Sequence, residues 1–271
     1  MAPLLFTIVF SVMLHDAFKD CDKGVMIKFR SDGSIFNLRR LQACTKTSSM
    51  LIRDLLYADD CALVAHSFED AQNIVDQFSR ACHRYGLTIS IKKTEVLHQP
   101  KPGQPPTTEP IKINGEKLKC VDYFHYLGGI LAQNAKIDDE ITAHISKGSS
   151  SYCRLQHRLW SDHGVRLSTK IQVYRAVVLN TLFYGCETWT QYQRHIKLLE
   201  QFHQRCLRKI CKVSWTDRMA NTDVLDLCGI SSVEAMIMSA QLRWARHAVR
   251  MDPERNLKAL VFGKLSPGKR S

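Results

Sequence analysis

The spacing of apolar side chains changes near residue 140, and this change constrains the fold of the 271-residue chain more than any other feature. Before it, short alternating runs are separated by turn residues such as Asp32-Gly33 and Asn114-Gly115, a pattern typical of antiparallel hairpins. After it, apolar residues recur every three or four positions, which predicts helices alone. We therefore expect an α+β domain over residues 1–140 and an all-helical domain over residues 141–271.

Two helices and three hairpins are predicted in the first domain. The apolar run Leu4–Leu14 predicts a buried helix over Pro3–Phe18, because the run is too short to span a bilayer and lacks the flanks of a signal peptide. A secreted or membrane-tethered chain, with this run as its signal, is the alternative. Ser67 and Asp70 are predicted to cap a second helix that ends at Gly86. The predicted strands are Val25–Arg30 with Ile35–Leu38, Leu51–Leu56 with Cys61–Ala65, Leu87–Ile91, and Ile111–Ile113 with Leu118–Ile130.

The second domain is predicted to contain basic amphipathic helices. Apolar stripes run from Ile171 to Leu182 and from Ile196 to Ile210, and a capping box of Ser231 and Glu234 begins a helix that ends at Met251. Two of these helices carry basic residues at helical spacing, and we expect those faces to bind phosphates; an ordinary solvated face is the alternative. The basic residues are Arg205, Arg208, Lys209 and Lys212 on one helix, and Arg243, Arg246, His247 and Arg250 on the other.

The overall charge favours a polyanionic partner. Thirty-eight Lys and Arg residues against twenty-six Asp and Glu residues give a net charge of +12, so nucleic acid is the first candidate and an anionic membrane the second. The ten cysteines include no CxxC pair, which indicates reduced thiols and an intracellular location, in the cytoplasm or nucleus. A zinc site at His203, Cys206 and Cys211, with Cys228 as a fourth ligand, is a weaker hypothesis because Cys206 already belongs to an apolar stripe.

Two adjacent acidic residues lie at a predicted corner between apolar strands. In the segment Tyr57-Ala58-Asp59-Asp60 the two carboxylates repel each other unless a cation lies between them. Mg²⁺ takes hard oxygen ligands and is held in nucleotidyl-transfer sites by one or two carboxylates together with substrate phosphates. The alternative is a soluble turn in which Asp residues have no further role.

This corner and four other segments together resemble reverse transcriptases, especially those of non-LTR (LINE-type) retrotransposons. Tyr57-Ala58-Asp59-Asp60, between Leu55-Leu56 and Cys61-Ala62-Leu63, is similar to the catalytic motif of the polymerase palm in that family. The other segments, in the order of the family, are Ala2–Phe6, Gly24–Leu41, Gly86–Thr94 and Phe124–Gly128. The resemblance implies part of a right-hand polymerase palm with its primer-grip hairpin, followed by a thumb-like helical region.

The resemblance also implies roles for single residues. Asp59 and Asp60 would bind Mg²⁺ or Mn²⁺, and Lys93 would assist proton transfer to the leaving pyrophosphate. Tyr57, Ala58, Pro3 and Phe6 would contact the template, the primer or the incoming nucleotide, and Tyr126, Leu127 and Gly128 would form the primer grip. The implied partners are an RNA template and a DNA primer, with no membrane and no small-molecule cofactor.

One catalytic feature of the family has no counterpart in the sequence. The palm carries a further catalytic aspartate on a strand that precedes the Ala2–Phe6 segment, and Asp16, Asp20, Asp22 and Asp54 lie in none of the required contexts. We therefore expect an N-terminally truncated RNA-directed DNA polymerase that is inactive alone, because two-metal transfer needs a complete ligand set. A non-catalytic nucleic-acid-binding protein derived from a retroelement is the alternative.

Overall fold

The computed structural model describes residues 2–19, 21–30, 47–100, 109–252 and 255–265, which mix helices with short strands. The chain divides into two compact units, one of Met1–Val121 with His247–Ser271 and one of Asp122–Arg246. The division therefore lies before the change of apolar spacing near residue 140. Its physical reason is that the hairpin after Asp122 belongs with the following helices, since the Ile130 N–H donates to the Glu140 carboxylate at 2.6 Å.

The first unit is built around two packed helices and a set of small strands. Met13 and Phe18 of the first helix pack against Ile74 and Cys82 of the second. As predicted, the second helix begins after Ser67, whose hydroxyl accepts the Asp70 N–H at 3.1 Å. The elements are α1 Ala2–Phe18, β1 Val25–Arg30, β2 Thr47–Ile52, β3 Asp54–Tyr57, β4 Asp60–Leu63, α2 Phe68–Arg84, β5 Glu95–Val96, β6 Lys112–Ile113, β7 Glu116–Lys117 and β8 Lys119–Cys120.

The strands pair in several small sheets. β1 pairs with β2 in antiparallel register, with Val25 opposite Ile52, and β3 pairs with β4 around the acidic corner. β6 and β7 form the predicted hairpin at Asn114-Gly115, and both turn residues have positive φ. Ile35–Leu38, predicted as the partner of β1, lie outside the described residues.

Three predictions for the first 140 residues were wrong. The run Leu118–Ile130 does not form one strand. Lys119–Cys120 form β8, which pairs with β5, and the chain after Asp122 forms a separate hairpin, because Leu127 and Gly128 adopt positive φ and reverse it. Leu87–Ile91 forms no strand in the structure; the chain turns after it, where Thr94 donates its N–H to the Ser90 carbonyl at 3.0 Å.

The third concerns α1, which was predicted to be buried. Met13, Leu14, Ala17 and Phe18 are buried, but the preceding turns are exposed, with Leu4 at 68%. The reason is that α2 packs along the C-terminal part of α1. Within the described ranges, no helix is both long and apolar enough to cross a membrane.

The second unit is a helical assembly with one hairpin. Its core contains Trp160, Tyr174, Leu182, Leu199 and Leu207, all at most 2% exposed. Between α4 and α5 the helix widens into a π-type segment at Tyr174–Leu179. The predicted stripe from Ile171 to Leu182 is therefore one helical stretch of three segments, α-helical at both ends and π-type in the middle. The elements are β9 Tyr123–Tyr126, β10 Gly129–Ala132, α3 Asp138–Arg154, α4 Leu167–Val173, α5 Asn180–Leu182, α6 Gln193–Cys211, α7 Asn221–Cys228 and α8 Val233–Arg250.

The N-terminus of α8 is capped differently from the prediction. The Ser232 hydroxyl, instead of that of Ser231, accepts the Ala235 N–H at 3.4 Å, and the Glu200 carboxylate accepts the Val233 N–H at 3.0 Å. The acidic side chain that accepts a backbone N–H at the start of α8 is therefore Glu200, whereas the sequence predicted Glu234.

After α8 the chain returns to the first unit. It forms α9 Asn256–Phe262 and β11 Lys264–Leu265. β11 pairs antiparallel with β1, which gives a three-stranded sheet of order β11, β1, β2. Both edges of β1 are therefore occupied.

Candidate functional site

The acidic corner is a two-residue turn that joins β3 to β4. Tyr57 and Asp60 are directly opposed, which leaves Ala58 and Asp59 as the turn residues. Ala58 has a φ of 53°, in the left-handed region that a residue with a Cβ rarely adopts. Hairpin turns with positive φ at the first central residue usually have glycine or asparagine there. The fold thus keeps a strained alanine directly before Asp59.

Both carboxylates of the turn are exposed. Asp60 shares one face of the hairpin with Tyr57, which is 65% exposed, because opposed residues present their side chains to the same side. Asp59, one position earlier, is exposed as well. Two hard oxygen donors that face solvent fit Mg²⁺ or Mn²⁺ completed by water and phosphate oxygens. Within the described ranges, no group of three or more His, Cys, Asp or Glu side chains is arranged to hold a metal ion.

The other face of the hairpin is anchored in the first unit. Leu63 packs against the core between α1 and α2, and Cys61 shares that face. Burial raises the pKa of the Cys61 thiol to about 12, and burial also raises the pKa of the Asp54 carboxyl, which is opposite Leu63. Asp54 therefore lies on the anchored face, whereas Asp60 lies on the opposite one.

The remaining predicted site residues of the first unit are spread over α1 and a turn. Lys93 is exposed, in the turn that follows the Leu87–Ile91 run, and its N–H donates to the Ser90 carbonyl at 3.0 Å. Phe6 lies on α1, is 39% exposed and stacks on Phe10 with 5.4 Å between ring centroids. Pro3 lies in the first turn of the same helix. Of the three predicted catalytic residues, Asp59 and Asp60 lie side by side at the β3–β4 turn, and Lys93 lies in a different turn.

The predicted primer-grip residues form a tight turn in the second unit. Tyr126 is opposite Gly129 in the β9–β10 hairpin, and Leu127 and Gly128 are the turn residues, with φ of 49° and 87°. One helix, α3, holds this hairpin. The Lys147 ammonium of α3 donates to the Gly128 carbonyl at 3.1 Å, and Glu140 of α3 accepts the Ile130 N–H.

The basic residues of α6 divide into exposed and internally bonded groups. Arg205 and Lys209 are exposed, whereas Arg208 is half-buried and donates to the Met219 carbonyl and the Asn221 side chain, both at 2.8 Å. Lys212 caps α6 in a left-handed conformation, with its ammonium 3.0 Å from His163 Nδ1. On α8, Arg243, Arg246 and Arg250 are exposed, as is His247.

A groove of about 620 Å³ runs beside α6. Lys197, Arg205 and Arg208 contribute positive charge to it. A basic groove next to exposed arginine and lysine side chains can follow a phosphodiester backbone. Arg208 has a structural role there as well, since it ties α6 to the segment that leads into α7.

The four residues of the zinc hypothesis, all within the described ranges, do not form a group that could hold a metal ion. His203 is fully buried and its Nδ1 lies 2.9 Å from the Tyr174 hydroxyl, while Cys206 is 3% exposed in the same core. Cys211 and Cys228 instead face each other, with 3.2 Å between the sulfur atoms. A hydrogen bond from Cys228 lowers the pKa of Cys211, and the same bond with burial raises the pKa of Cys228. All cysteines within the described ranges are free thiols.

Sequence patterns did not indicate a polar network behind the β9–β10 hairpin. His144, 1% exposed, lies 3.1 Å from both the Glu140 carboxylate and the Thr181 carbonyl. Burial raises the pKa of Glu140, but the hydrogen bonds from His144 and from the Ile130 N–H outweigh burial, so its pKa is lowered. The spacing of Glu140 and His144, one helical turn apart, was the only available signal.

Two comparisons with known proteins bear on these residues. A curated protein of Caenorhabditis elegans, described as an uncharacterised transposon-derived protein, is 21% identical over 209 residues, which cover 73% of this chain and 72% of that protein. Residues 1–131 match the family model of reverse transcriptase (RNA-dependent DNA polymerase), a match that includes the acidic corner, Lys93 and the β9–β10 hairpin up to Leu131. The part of the chain that carries the acidic corner is therefore similar in sequence to a reverse transcriptase domain.

Proposed function

We propose that this chain derives from an RNA-directed DNA polymerase of a non-LTR retrotransposon, with residues 1–140 as a partial palm and residues 141–271 as a thumb-like region. It binds an RNA template paired with a DNA primer, inside the cell, in the cytoplasm or nucleus. The observation that carries the proposal is the exposed Asp59–Asp60 turn within a segment that matches the reverse transcriptase family model.

The acidic turn holds a divalent cation in this proposal. Asp59 and Asp60 would supply two carboxylate oxygens to Mg²⁺ or Mn²⁺, and waters or phosphates would supply the rest. In nucleotidyl transfer such an ion stabilises charge on the attacking and leaving oxygens. Tyr57, on the same hairpin face as Asp60, would contact the primer or the base pair. Lys93 would donate a proton to pyrophosphate.

Catalysis by the chain alone is not part of the proposal. Among the described residues, no third acidic side chain joins Asp59 and Asp60 in a group that could hold a metal ion. Transfer requires that the primer 3′ oxygen and the triphosphate be held in line, and an incomplete ligand set positions them poorly. We therefore expect binding of template–primer without extension.

A second candidate is a nucleic-acid-binding protein without a metal-dependent site. The charge of +12 and the exposed arginines of α6 and α8 favour it, because they need no cation to bind phosphates. The two candidates differ at the acidic turn, which binds metal in the first and has no ligand in the second.

Titration with Mn²⁺, followed by electron paramagnetic resonance, separates these candidates. We expect the wild-type chain to bind Mn²⁺ weakly and the double variant Asp59→Asn with Asp60→Asn to lose this binding. The control Asp76→Asn, which alters an exposed carboxylate of α2, should keep it. Equal binding in the wild type and the double variant would favour the second candidate. Primer extension on an RNA template by the wild-type chain alone would contradict the expected lack of catalysis.

A further inference from the structure

Two cysteines from different helices lie against each other in the second unit. Cys211 is the last residue of α6 and Cys228 is the last residue of α7, and 3.2 Å separate their sulfur atoms. A disulfide bond is about 2.05 Å long, so a shift of roughly 1 Å in total brings these atoms to bonding distance. The fold creates this pair, because seventeen positions separate its members in the chain.

The two helices end in the same way, which fixes the backbone of both cysteines. The residue after each cysteine, Lys212 or Gly229, is left-handed with a φ of 58°. In each helix the N–H two positions after the cysteine donates to the carbonyl three positions before it, which is the Schellman arrangement. These bonds join Val213 to Arg208 at 2.9 Å and Ile230 to Leu225 at 3.0 Å.

Other contacts hold α6 against α7 close to the pair. Leu207 of α6 and Val224 of α7 are fully buried in the same core cluster as Cys228, and Cys211 packs against this cluster. Arg208 of α6 donates to the Met219 carbonyl at 2.8 Å, in the segment that leads into α7. Because both partners are held in place, a reaction between them avoids most of the entropy cost of bringing two groups together.

The two thiols differ in exposure and in acidity. Cys211 is partly exposed, whereas Cys228 is 7% exposed. The hydrogen bond from Cys228 lowers the pKa of Cys211, and the same bond together with burial raises the pKa of Cys228. Burial also raises the pKa of two other core thiols of this unit, Cys186 to about 11 and Cys206 to about 12. Since the thiolate is the form that reacts with oxidants, Cys211 is the attacking thiol of the pair.

We propose that Cys211 and Cys228 form a site of reversible oxidation whose substrate is hydrogen peroxide. The Cys211 thiolate attacks one peroxide oxygen, so that an S–O bond forms, the O–O bond breaks and the other oxygen leaves as water after taking up a proton. The Cys228 sulfur then attacks the sulfenic sulfur of Cys211. The S–S bond forms, the S–O bond breaks, and the hydroxyl leaves with the Cys228 proton as a second water. Two thiols thus give two electrons to one peroxide, and a small dithiol reverses the reaction by exchange.

The disulfide would close the segment between the ends of α6 and α7. This segment contains Met219 and Asn221, whose oxygen atoms accept hydrogen bonds from Arg208 in the groove beside α6. The oxidised chain is expected to be the more stable form, because the bond restricts the unfolded chain. The site is independent of the proposed function, since neither cysteine belongs to the acidic turn and its test uses no nucleic acid.

The test treats the full, reduced chain with hydrogen peroxide alone. The remaining thiols are then alkylated in denaturant, and the digested chain is analysed by mass spectrometry. We expect a Cys211–Cys228 cross-linked peptide that dithiothreitol removes, and an unfolding midpoint about 5 °C or more above that of the reduced chain. Cys153→Ser is the matched control, since Cys153 is an exposed thiol in the same unit, and it should form the cross-link at the wild-type rate.

Two serine variants separate the attacking thiol from its partner. In Cys228→Ser the reaction should stop at the sulfenic acid of Cys211, which dimedone traps. In Cys211→Ser the cross-link is absent, and Cys228 should react with peroxide at least about tenfold more slowly than Cys211 does in Cys228→Ser. Faster trapping on Cys228 than on Cys211 would overturn the assignment of the attacking thiol.

Three results would overturn the site itself. The first is a folded chain that loses other thiols to peroxide and yields no Cys211–Cys228 peptide. The second is a cross-link that forms no faster in the folded chain than in guanidinium, because only the fold holds the two sulfur atoms together. This comparison needs the wild type alone, so it decides the question even where a serine variant does not fold. The third is stoichiometric zinc that the wild type retains and both serine variants lose, which would make the two thiols metal ligands.

Discussion

Ala58 stores strain directly beside the acidic pair. A non-glycine residue in the left-handed region costs roughly 1–2 kcal/mol. Glycine would remove this cost, but it loses more backbone entropy on folding, so only part of the difference would appear as added stability. We expect Ala58→Gly to stabilise the chain by up to about 1 kcal/mol, and Ala58→Val to destabilise it, because a β-branched residue is an outlier at this φ of 53°.

Guanidinium unfolding measures both effects. Ala62→Gly, on β4 of the same hairpin, is the control, and we expect it to be destabilising by roughly 0.5–1 kcal/mol because glycine weakens a strand. If Ala58→Gly destabilises the chain as much as Ala62→Gly does, the turn is not strained at Ala58.

His203 links the stability of the second unit to pH. Burial lowers its pKa from 6.5 to about 4. Burial also raises the pKa of the Tyr174 hydroxyl, which lies 2.9 Å from His203 Nδ1, so this hydroxyl stays uncharged in the same range. Between pH 6.5 and 4 the unfolded chain binds a proton that the folded chain does not, and the unfolding free energy therefore falls as the pH is lowered through this range.

The unfolding free energy of the wild type is expected to fall between pH 7 and pH 4. In His203→Phe we expect this fall to be smaller by up to roughly 3 kcal/mol. The measurement is the midpoint of guanidinium unfolding at several pH values. His157→Gln, which changes an exposed histidine, should leave the wild-type pH dependence intact. A His203→Phe curve parallel to that of the wild type would indicate that folding does not shift the pKa of His203.

At the scale of elements, α6 combines a core stripe with an exposed basic edge. We expect the triple variant Arg205→Gln, Lys209→Gln and Lys212→Gln to lower the salt slope of template–primer binding by up to about three, since each lost phosphate contact lowers it by about one. Arg208 is kept in this variant because its bonds to Met219 and Asn221 hold the segment before α7. Fluorescence anisotropy at several salt concentrations measures the slope.

A matched control for this variant lies on the same unit. Arg154→Gln, Arg158→Gln and Arg166→Gln remove an equal charge from exposed positions outside α6. Equal slopes for the two triple variants would mean that overall charge, and not the α6 edge, determines binding.

The elements that sequence predicted well are those whose signal is local. The Ser67 cap, the Asn114-Gly115 turn and the stripe of α6 depend on residues a few positions apart, and each forms as predicted. The acidic corner is predictable for the same reason, since two apolar runs and a short polar segment define it.

The features that sequence missed depend on tertiary neighbours. No local pattern assigns Glu200 to the α8 N-terminus or β11 to the edge of β1, because their partners are distant in sequence. Leu118–Ile130 reads as one apolar run, and the reversal at Leu127-Gly128 is supported by Tyr184 and Lys147 from later segments.

At the scale of the whole molecule, the exposed part of α1 is an apolar surface on a highly charged chain. Leu5, Ile8 and Val12 recur along one side of the helix and are 58%, 52% and 52% exposed. Exposed apolar patches promote association with other apolar surfaces, whereas a net charge of +12 opposes self-association through repulsion. Because salt screens the repulsion and leaves the apolar attraction intact, we expect the chain to self-associate more strongly as salt rises.

Replacing Leu5 and Val12 by glutamine separates these two effects. Since both side chains are exposed, the double variant should change the unfolding free energy by no more than about 0.5 kcal/mol per site, and it should stay monomeric at salt concentrations where the wild type associates. Met13→Gln, one position away and fully buried, should instead destabilise the chain by roughly 2–5 kcal/mol. Sedimentation velocity at low and high salt, together with guanidinium unfolding, measures both properties. A double variant as unstable as Met13→Gln would mean that Leu5 and Val12 are covered in the folded chain. If the double variant associates as strongly as the wild type, the association involves a surface other than α1.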